Sequence, residues 1–188
     1  MTSQLRDLVG QPLTWIPTAA LKSRYDLVTP DGTVLATLQM SNWNFKAYAS
    51  VLEGTLFLKQ EGWSGRTIVL SLGENGPRIA TLQRTWSGSS GQLVFENGRT
   101  FRWTKLNFWG AQKAWTDPTG NIMSIRFSSP GFSRKLAAQI HPAAAEIPEL
   151  SSLLVLGLYV SLVEGSELAA AAAVAVAVAV AGTSGVHL

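Results

Sequence analysis

The sequence predicts a mainly β fold, namely a closed antiparallel barrel of about twelve strands around a central hydrophobic C-terminal α-helix. Short segments of alternating polar and apolar residues recur roughly every ten residues and indicate strands. Asn-Gly and Asp-Gly pairs, which supply the backbone conformations of tight hairpins, stand between them. Near the C-terminus, a run of uncharged residues is apolar in every direction. A wide barrel needs something to fill its lumen, and such a helix needs something to surround it.

The chain divides into three parts. Residues 1–24 are predicted to be a lead segment, in which Pro12 and Pro17 limit any helix. Residues 25–163 are predicted to form the barrel with its helix, and residues 164–188 an Ala/Val-rich, low-complexity tail.

The predicted strands have the two-residue period of a sheet with one buried face. In the segment 122–127, Met123, Ile125 and Phe127 share one face, and Ser124 and Arg126 share the other. The candidate strands are 25–29, 33–40, 46–52, 54–61, 66–72, 78–84, 92–96, 99–105, 113–117, 121–127 and 134–140.

The predicted helix covers about residues 148–163. Pro148 suits a first helical position, and the negative charge of Glu149 suits a helix N-terminus. The uncharged run ends before Glu164 and is shorter than the ~20 residues that span a bilayer. It also lacks flanking Lys or Arg anchors. We therefore expect this helix to be buried in protein. The following stretch, 168–181, contains nine Ala, four Val and one Leu, and is either a helical extension or a loosely held tail.

Composition argues against most catalytic chemistry. The 188 residues include no cysteine and two histidines, His141 and His187. The first count excludes disulfides and thiolate metal sites, and the second disfavours histidine metal sites and Ser-His-Asp triads. Since no catalytic motif was found either, we expect no enzyme activity, no metal and no cofactor.

The order of the elements resembles the tubby C-terminal-like superfamily, which includes tubby domains, plant LURP-one-related proteins and phospholipid scramblases. The resemblance is carried by Tyr25-Asp26-Leu27-Val28 with Asp31-Gly32, by Trp115-Thr116-Asp117 with Gly120, and by the helix at 150–163. It implies a twelve-stranded barrel closed around a hydrophobic helix, and binding of phosphoinositides or other phospholipids. The phosphate-binding residues of tubby domains have no residue-by-residue match in this chain.

Charge is distributed unevenly along the chain. All 15 Lys and Arg residues lie between Arg6 and Lys135, whereas residues 136–188 contain four acids and no Lys or Arg. A basic body suits an anionic partner, although ordinary solubility charge on a β surface is the simpler explanation. Guanidinium groups bind phosphate in a bidentate manner, and each basic residue near an anionic membrane adds ~1 kcal/mol. The candidate headgroup-binding residues, expected to face outward on one patch, are Arg84, Arg99, Arg102, Lys105 and Lys113.

The sequence therefore predicts a non-enzymatic, monomeric barrel that binds anionic phospholipid headgroups at a membrane surface. The alternative is an intracellular scaffold or a small-ligand-binding barrel with no lipid role. Aromatic and basic residues interleave in 99–105, a pattern that can stack nucleic-acid bases, but strand alternation produces it as well. We expect no nucleic-acid partner. The N-terminal residues contain no apolar signal segment, so a cytoplasmic or peripheral membrane location is expected.

Overall fold

The computed structural model describes residues 3–18, 24–41, 45–86, 90–106, 112–118, 122–128 and 135–183. The fold is mainly β, with an antiparallel sheet and one long C-terminal helix, α2 (Leu150–Thr183). A short helix, α1 (Ser3–Arg6), precedes the sheet, and a 3-10 turn (Pro142–Ala144) precedes α2. The described strands are β1 (Pro12–Pro17), β2 (Arg24–Val28), β3 (Val34–Met40), β4 (Ala47–Val51), β5 (Gly54–Glu61), β6 (Thr67–Leu72), β7 (Arg78–Arg84), β8 (Gly91–Phe95), β9 (Thr100–Lys105), β10 (Gln112–Thr116), β11 (Ile122–Ser128) and β12 (Leu136–Ile140).

Each strand pairs antiparallel with the strand that precedes it and the strand that follows it in the chain. β1 pairs with β2 on one side and with β12 on the other, so that Trp15 stands opposite both Leu27 and Leu136. We call this arrangement the strand ring. The predictions of a mainly β, antiparallel fold and of a C-terminal helix are confirmed, and each of the eleven predicted strands overlaps one of β2 to β12.

β1 corrects the interpretation of residues 1–24, because part of this lead segment belongs to the sheet. Pro12 and Pro17 occupy the two ends of β1, where a missing N–H interrupts the ladder least. Between them, Leu13 and Trp15 are fully buried. The alternation of these two apolar residues was the signal for a strand, and the flanking prolines obscured it.

The interior of the ring has room for a helix because several inward positions are alanine. Ala47, Ala49 and Ala80 are fully buried, as expected where a backbone approaches closely. Along α2, all eight residues from 153 to 160 are buried. Successive helical residues are rotated by about 100°, so eight of them point in every direction around the axis. The central segment of α2 is therefore surrounded by protein, as predicted.

The helix extends beyond the predicted 148–163, in agreement with the helical-extension alternative for 168–181. It begins at Leu150 and continues through the Ala/Val-rich stretch to Thr183, instead of ending near residue 163. Gly165 does not end it, because a glycine within a helix costs only about 1 kcal/mol and alanine is the strongest helix former. Its segment Leu150–Glu167 is long and apolar enough to pass for a membrane span, but 67% of it is buried inside the protein. Residues 184–188 of the predicted tail lie outside the described part.

The two ends of the ring make different polar contacts with α2. At the end where the helix begins, which we call the entry end, Asn97 donates a hydrogen bond to Glu149 (2.6 Å). At the end where the helix leaves, which we call the exit end, Arg84 pairs with Glu167 and Lys113 pairs with Glu164. Both ends are therefore fixed by polar contacts between helix and strands.

Replacing Leu156 with Asp should unfold the protein. Leu156 is 1% exposed, and an unpaired charge at such a position costs several kcal/mol. Loss of far-ultraviolet circular dichroism, or a large fall in the urea midpoint, measures the effect. Val34→Asp is the control, since Val34 is 54% exposed on β3. A Leu156→Asp variant as stable as that control would contradict the burial of α2.

Candidate functional site

Two exposed tryptophans distinguish the exit end. Trp63 lies in the turn between β5 and β6, and Trp86 follows β7. Their relative exposures are 107% and 86%, so neither indole packs on the core. The guanidinium of Arg66 lies 4.4 Å from the ring centroid of Trp86, within the range of a cation–π contact. We call Trp63, Arg66 and Trp86 the exit-end cluster.

Local backbone contacts hold this cluster together. Gly62 adopts a positive φ of 79° and turns the chain at the end of β5, which directs Trp63 away from the ring. The N–H of Arg84 donates to the carbonyl of Arg66 (3.0 Å), which joins the β5–β6 turn to the end of β7. The cluster borders an open cavity of about 390 Å³, whose lining also includes Glu167 of α2. The two exposed aromatic rings thus border the same cavity as Glu167, close to the point where α2 leaves the ring.

Arg84 faces the interior, which corrects its prediction as an outward headgroup ligand. Its side chain is 2% exposed and forms a bidentate pair with Glu167, with nitrogen–oxygen distances of 2.9 and 2.6 Å. Arg84 has the strand parity of the buried residues Ala80 and Leu82, so alternation already placed it inward. Its charge is neutralised by Glu167 of α2.

Lys113 is also paired with a residue of α2, since its ammonium contacts the carboxylate of Glu164. The same carboxylate accepts a hydrogen bond from the indole N–H of Trp103 (3.2 Å), and the Lys113 ammonium lies 5.9 Å from that ring's centroid. Burial lowers the pKa of Lys113 to about 8, and the neighbouring charges of Lys105 and Arg84 act in the same direction. The ion pair with Glu164 opposes this shift.

The other three predicted headgroup residues are exposed but do not lie together. Arg102 and Lys105 lie on β9, with Lys105 at its exit end. Arg99 lies at the entry end, where it pairs with Glu149 (3.3 Å). The structure therefore does not bring all five predicted residues onto one outward patch, because two face the interior and one is at the opposite end.

The sequence interpretation did not identify the exit-end cluster. A signal was present, because Trp63 stands in the glycine-bounded turn Gly62-Trp63-Ser64-Gly65, too short to carry its side chain to the core. Among the described residues, no group of three or more His, Cys, Asp or Glu side chains is arranged to hold a metal ion.

Comparison with known proteins gives a likeness of fold. No family model matches the sequence, and no curated protein matches it. The X-ray structure of a protein from Arabidopsis thaliana, AT5G01750, superimposes with a TM-score of 0.51 over 80% of this chain and 93% of that one. That protein is LURP-one-related. The fold of this chain is similar to it. At 12% sequence identity, the likeness concerns the fold alone.

Glu167→Ala should destabilise the protein more than Arg84→Met. Removing Glu167 leaves a buried, uncompensated guanidinium, whereas removing Arg84 leaves a carboxylate that is 48% exposed and can be hydrated. We expect a loss of about 2 kcal/mol for Glu167→Ala and less than ~1 kcal/mol for Arg84→Met, measured by urea denaturation. Glu146→Ala is the control, since Glu146 is 82% exposed in its pair with Arg6. The reverse order of the two losses would contradict this account.

Lys113 should titrate well below an ordinary lysine. We expect a pKa of about 8 in the folded protein, against ~10.4 in the unfolded chain. Between these two pH values the unfolded state binds more protons than the folded state. The cost of burying the charged lysine therefore falls, and the free energy of unfolding rises, as the pH increases. Titration of the ¹³C-labelled lysine Cε resonances by NMR measures the pKa. A value at or above that of free lysine would mean that Glu164 outweighs burial. Glu164→Gln should lower the pKa further.

Proposed function

We propose that this chain is a non-enzymatic, monomeric, closed barrel of the tubby-like type that docks on anionic phospholipid membranes from the cytoplasmic side. The docking surface is the exit end of the ring. The fold similarity to a LURP-one-related protein supports the tubby-like part of the proposal. The pairing of β1 with both β2 and β12 supports closure.

The observation that carries the proposal is the exposure of Trp63 and Trp86 beside the same cavity as Arg66. A fully exposed indole is unfavourable in water, whereas at a bilayer interface it places its ring among the headgroups. Arg66 is a donor for phosphate oxygens at the same depth. Trp63, Arg66 and Trp86 line one open cavity, which brings all three side chains to the same part of the exit end.

Charge at the exit end suits an anionic surface. Arg66, Arg102 and Lys105 are cations of the exit-end half, and Arg102 and Lys105 are exposed. Glu167 and Glu164 are paired with Arg84 and Lys113, respectively, so these carboxylates do not cancel the exposed cations. In this proposal Arg66 takes the headgroup role that sequence reasoning assigned to Arg84 and Lys113. Arg102 and Lys105 keep theirs.

The continuation of α2 strengthens the membrane proposal. The helix passes Glu167 at the exit end and runs on to Thr183 through alanine and valine. Sixteen helical residues extend about 24 Å, less than the ~30 Å hydrocarbon core, so this segment enters the bilayer without spanning it. The interior of the ring is filled by α2, which argues against a carrier that holds its ligand in the lumen.

Replacing both exposed tryptophans should weaken membrane binding. We expect Trp63→Ser with Trp86→Ser to bind vesicles of phosphatidylcholine and phosphatidylserine about ten-fold more weakly, as the loss of interfacial anchors requires. Arg66→Gln with Arg102→Gln should weaken binding about thirty-fold, at about 1 kcal/mol per charge. Pelleting of the protein with vesicles measures both. Binding of the unaltered protein should fall with added salt, because screening weakens exposed charges.

Matched controls come from the entry end. Leu52→Ser removes an apolar side chain that is 44% exposed in the β4–β5 turn, and Arg6→Gln removes a cation close to Glu146. Neither should change pelleting. Equal binding to vesicles of phosphatidylcholine alone, or equal losses in the control variants, would contradict docking through the exit end. If Val174→Lys with Val178→Lys abolishes binding while the tryptophan variant does not, the helix continuation is the anchor and the exit-end cluster is not.

A further inference from the structure

We infer that the entry end holds a second binding site, for a small amphipathic cation in which an aliphatic chain carries an ammonium group. The site is an open cavity of about 340 Å³ between the first turn of α2 and the ends of strands β5 to β8. This size is at the lower end of the range for small-molecule sites. It is at the opposite end of the ring from the exit-end cluster, so the inference is independent of membrane docking.

The walls of this cavity are apolar. Leu56 and Phe95 form a buried part of the lining, and Ile79 is half-buried. Leu72, the last residue of β6, lines the cavity with 50% of its surface exposed. An aliphatic chain in the cavity would remove this leucine surface from water, which is the main favourable term for such a ligand.

The polar part of the lining is acidic. It contains Glu53, Glu96 and Glu149, and among the described residues that line the cavity there is no Lys, Arg or His. Glu149 is paired with Arg99, and Glu53 accepts a hydrogen bond from the hydroxyl of Ser151 (3.0 Å). These contacts fix the two carboxylates in position. Glu96 is exposed at the end of β8, where it can meet a ligand's ammonium group.

The charge of this lining decides which amphipathic ligand fits. The N-terminus of α2 by itself favours an anion, since it carries about half a positive charge. Three carboxylates exceed that charge, and the cation of Arg99 is already paired with Glu149. A ligand carboxylate or phosphate would therefore be repelled. An ammonium group next to Glu96 and Glu53 matches the acidic part of the lining. Its aliphatic chain, directed toward Leu72 and Ile79, matches the apolar part.

The test compares three ligands of equal chain length, namely hexylammonium, hexanol and hexanoate, by NMR titration of the isotopically labelled full-length protein. We expect hexylammonium to bind in the millimolar range, as its few non-hydrogen atoms allow, and to shift the signals of Leu72, Ile79 and Ser152. Hexanoate should bind at least about ten-fold more weakly, with hexanol between them.

Two variants test the two parts of the lining. Glu96→Gln with Glu53→Gln should weaken hexylammonium binding about ten-fold and leave hexanol unchanged, because only the charge is lost. Leu72→Asn should weaken the binding of all three ligands, because it removes apolar surface from the lining. Glu146→Gln and Val94→Asn are the controls, an exposed acid and an exposed apolar residue that do not line the cavity. Spectra that match the parent away from the substitutions establish that each variant is folded.

Three results would overturn the inference. They are binding of hexanoate as strong as that of hexylammonium, shifts confined to residues outside the cavity, and no shifts up to the solubility limit of hexylammonium. None of these results bears on the membrane proposal, because vesicle pelleting should be unaffected by Glu96→Gln or Leu72→Asn. Conversely, failure of the tryptophan variants to alter pelleting leaves the entry-end site in place.

Discussion

Enclosure of the apolar segment of α2 is the interaction on which the rest of the structure depends. Residues 153–160 have no polar side to turn toward water except the hydroxyl of Tyr159, which donates to the carbonyl of Phe45. A helix of this kind is stable in water only when apolar side chains cover it on all sides. The strand ring provides this cover with side chains of different sizes, from fully buried alanines to fully buried tryptophans. The indole of Trp115 donates to the carbonyl of Leu153 (2.9 Å) and fixes the depth of the helix in the ring.

The same enclosure makes the two ends of the ring chemically unlike. Because the middle of α2 is surrounded by apolar side chains, its charged residues lie at the two ends of the ring, where water and polar partners are available. At the exit end, Glu164 and Glu167 are matched by Lys113 and Arg84, which draws two cations inward from the strands. At the entry end, Glu149 is held by Arg99 and Asn97, and Ser151 is bonded to Glu53. Acids thus lie at both ends, but those at the entry end also line a cavity, together with Glu96.

We propose that these differences give the two ends separate roles. The exit end combines exposed indoles with uncancelled cations, which suits a surface of phosphate headgroups. The entry end combines an apolar cavity with carboxylates, which suits a soluble cation of the opposite character. With the exit end docked on a membrane, the entry end would face the solution. On these proposals, a strand ring filled by its own helix would bind two kinds of partner at its two ends.

Most of the fold could be predicted from local patterns, since strand period and turn residues act over a few positions along the chain. Eleven strands and the buried character of 150–163 were accessible in this way, whereas β1 was missed because Pro12 and Pro17 bracket its two buried residues. The candidate site was accessible only in part. Arg84 is a surface cation by residue type, and its position inside depends on Glu167, which lies 83 residues away in the sequence. The nearness of Trp63, Arg66 and Trp86 to the exit of α2 likewise depends on strand pairing. Contacts between residues so distant in the chain are set by the pairing of the strands around the helix, and no local pattern encodes them.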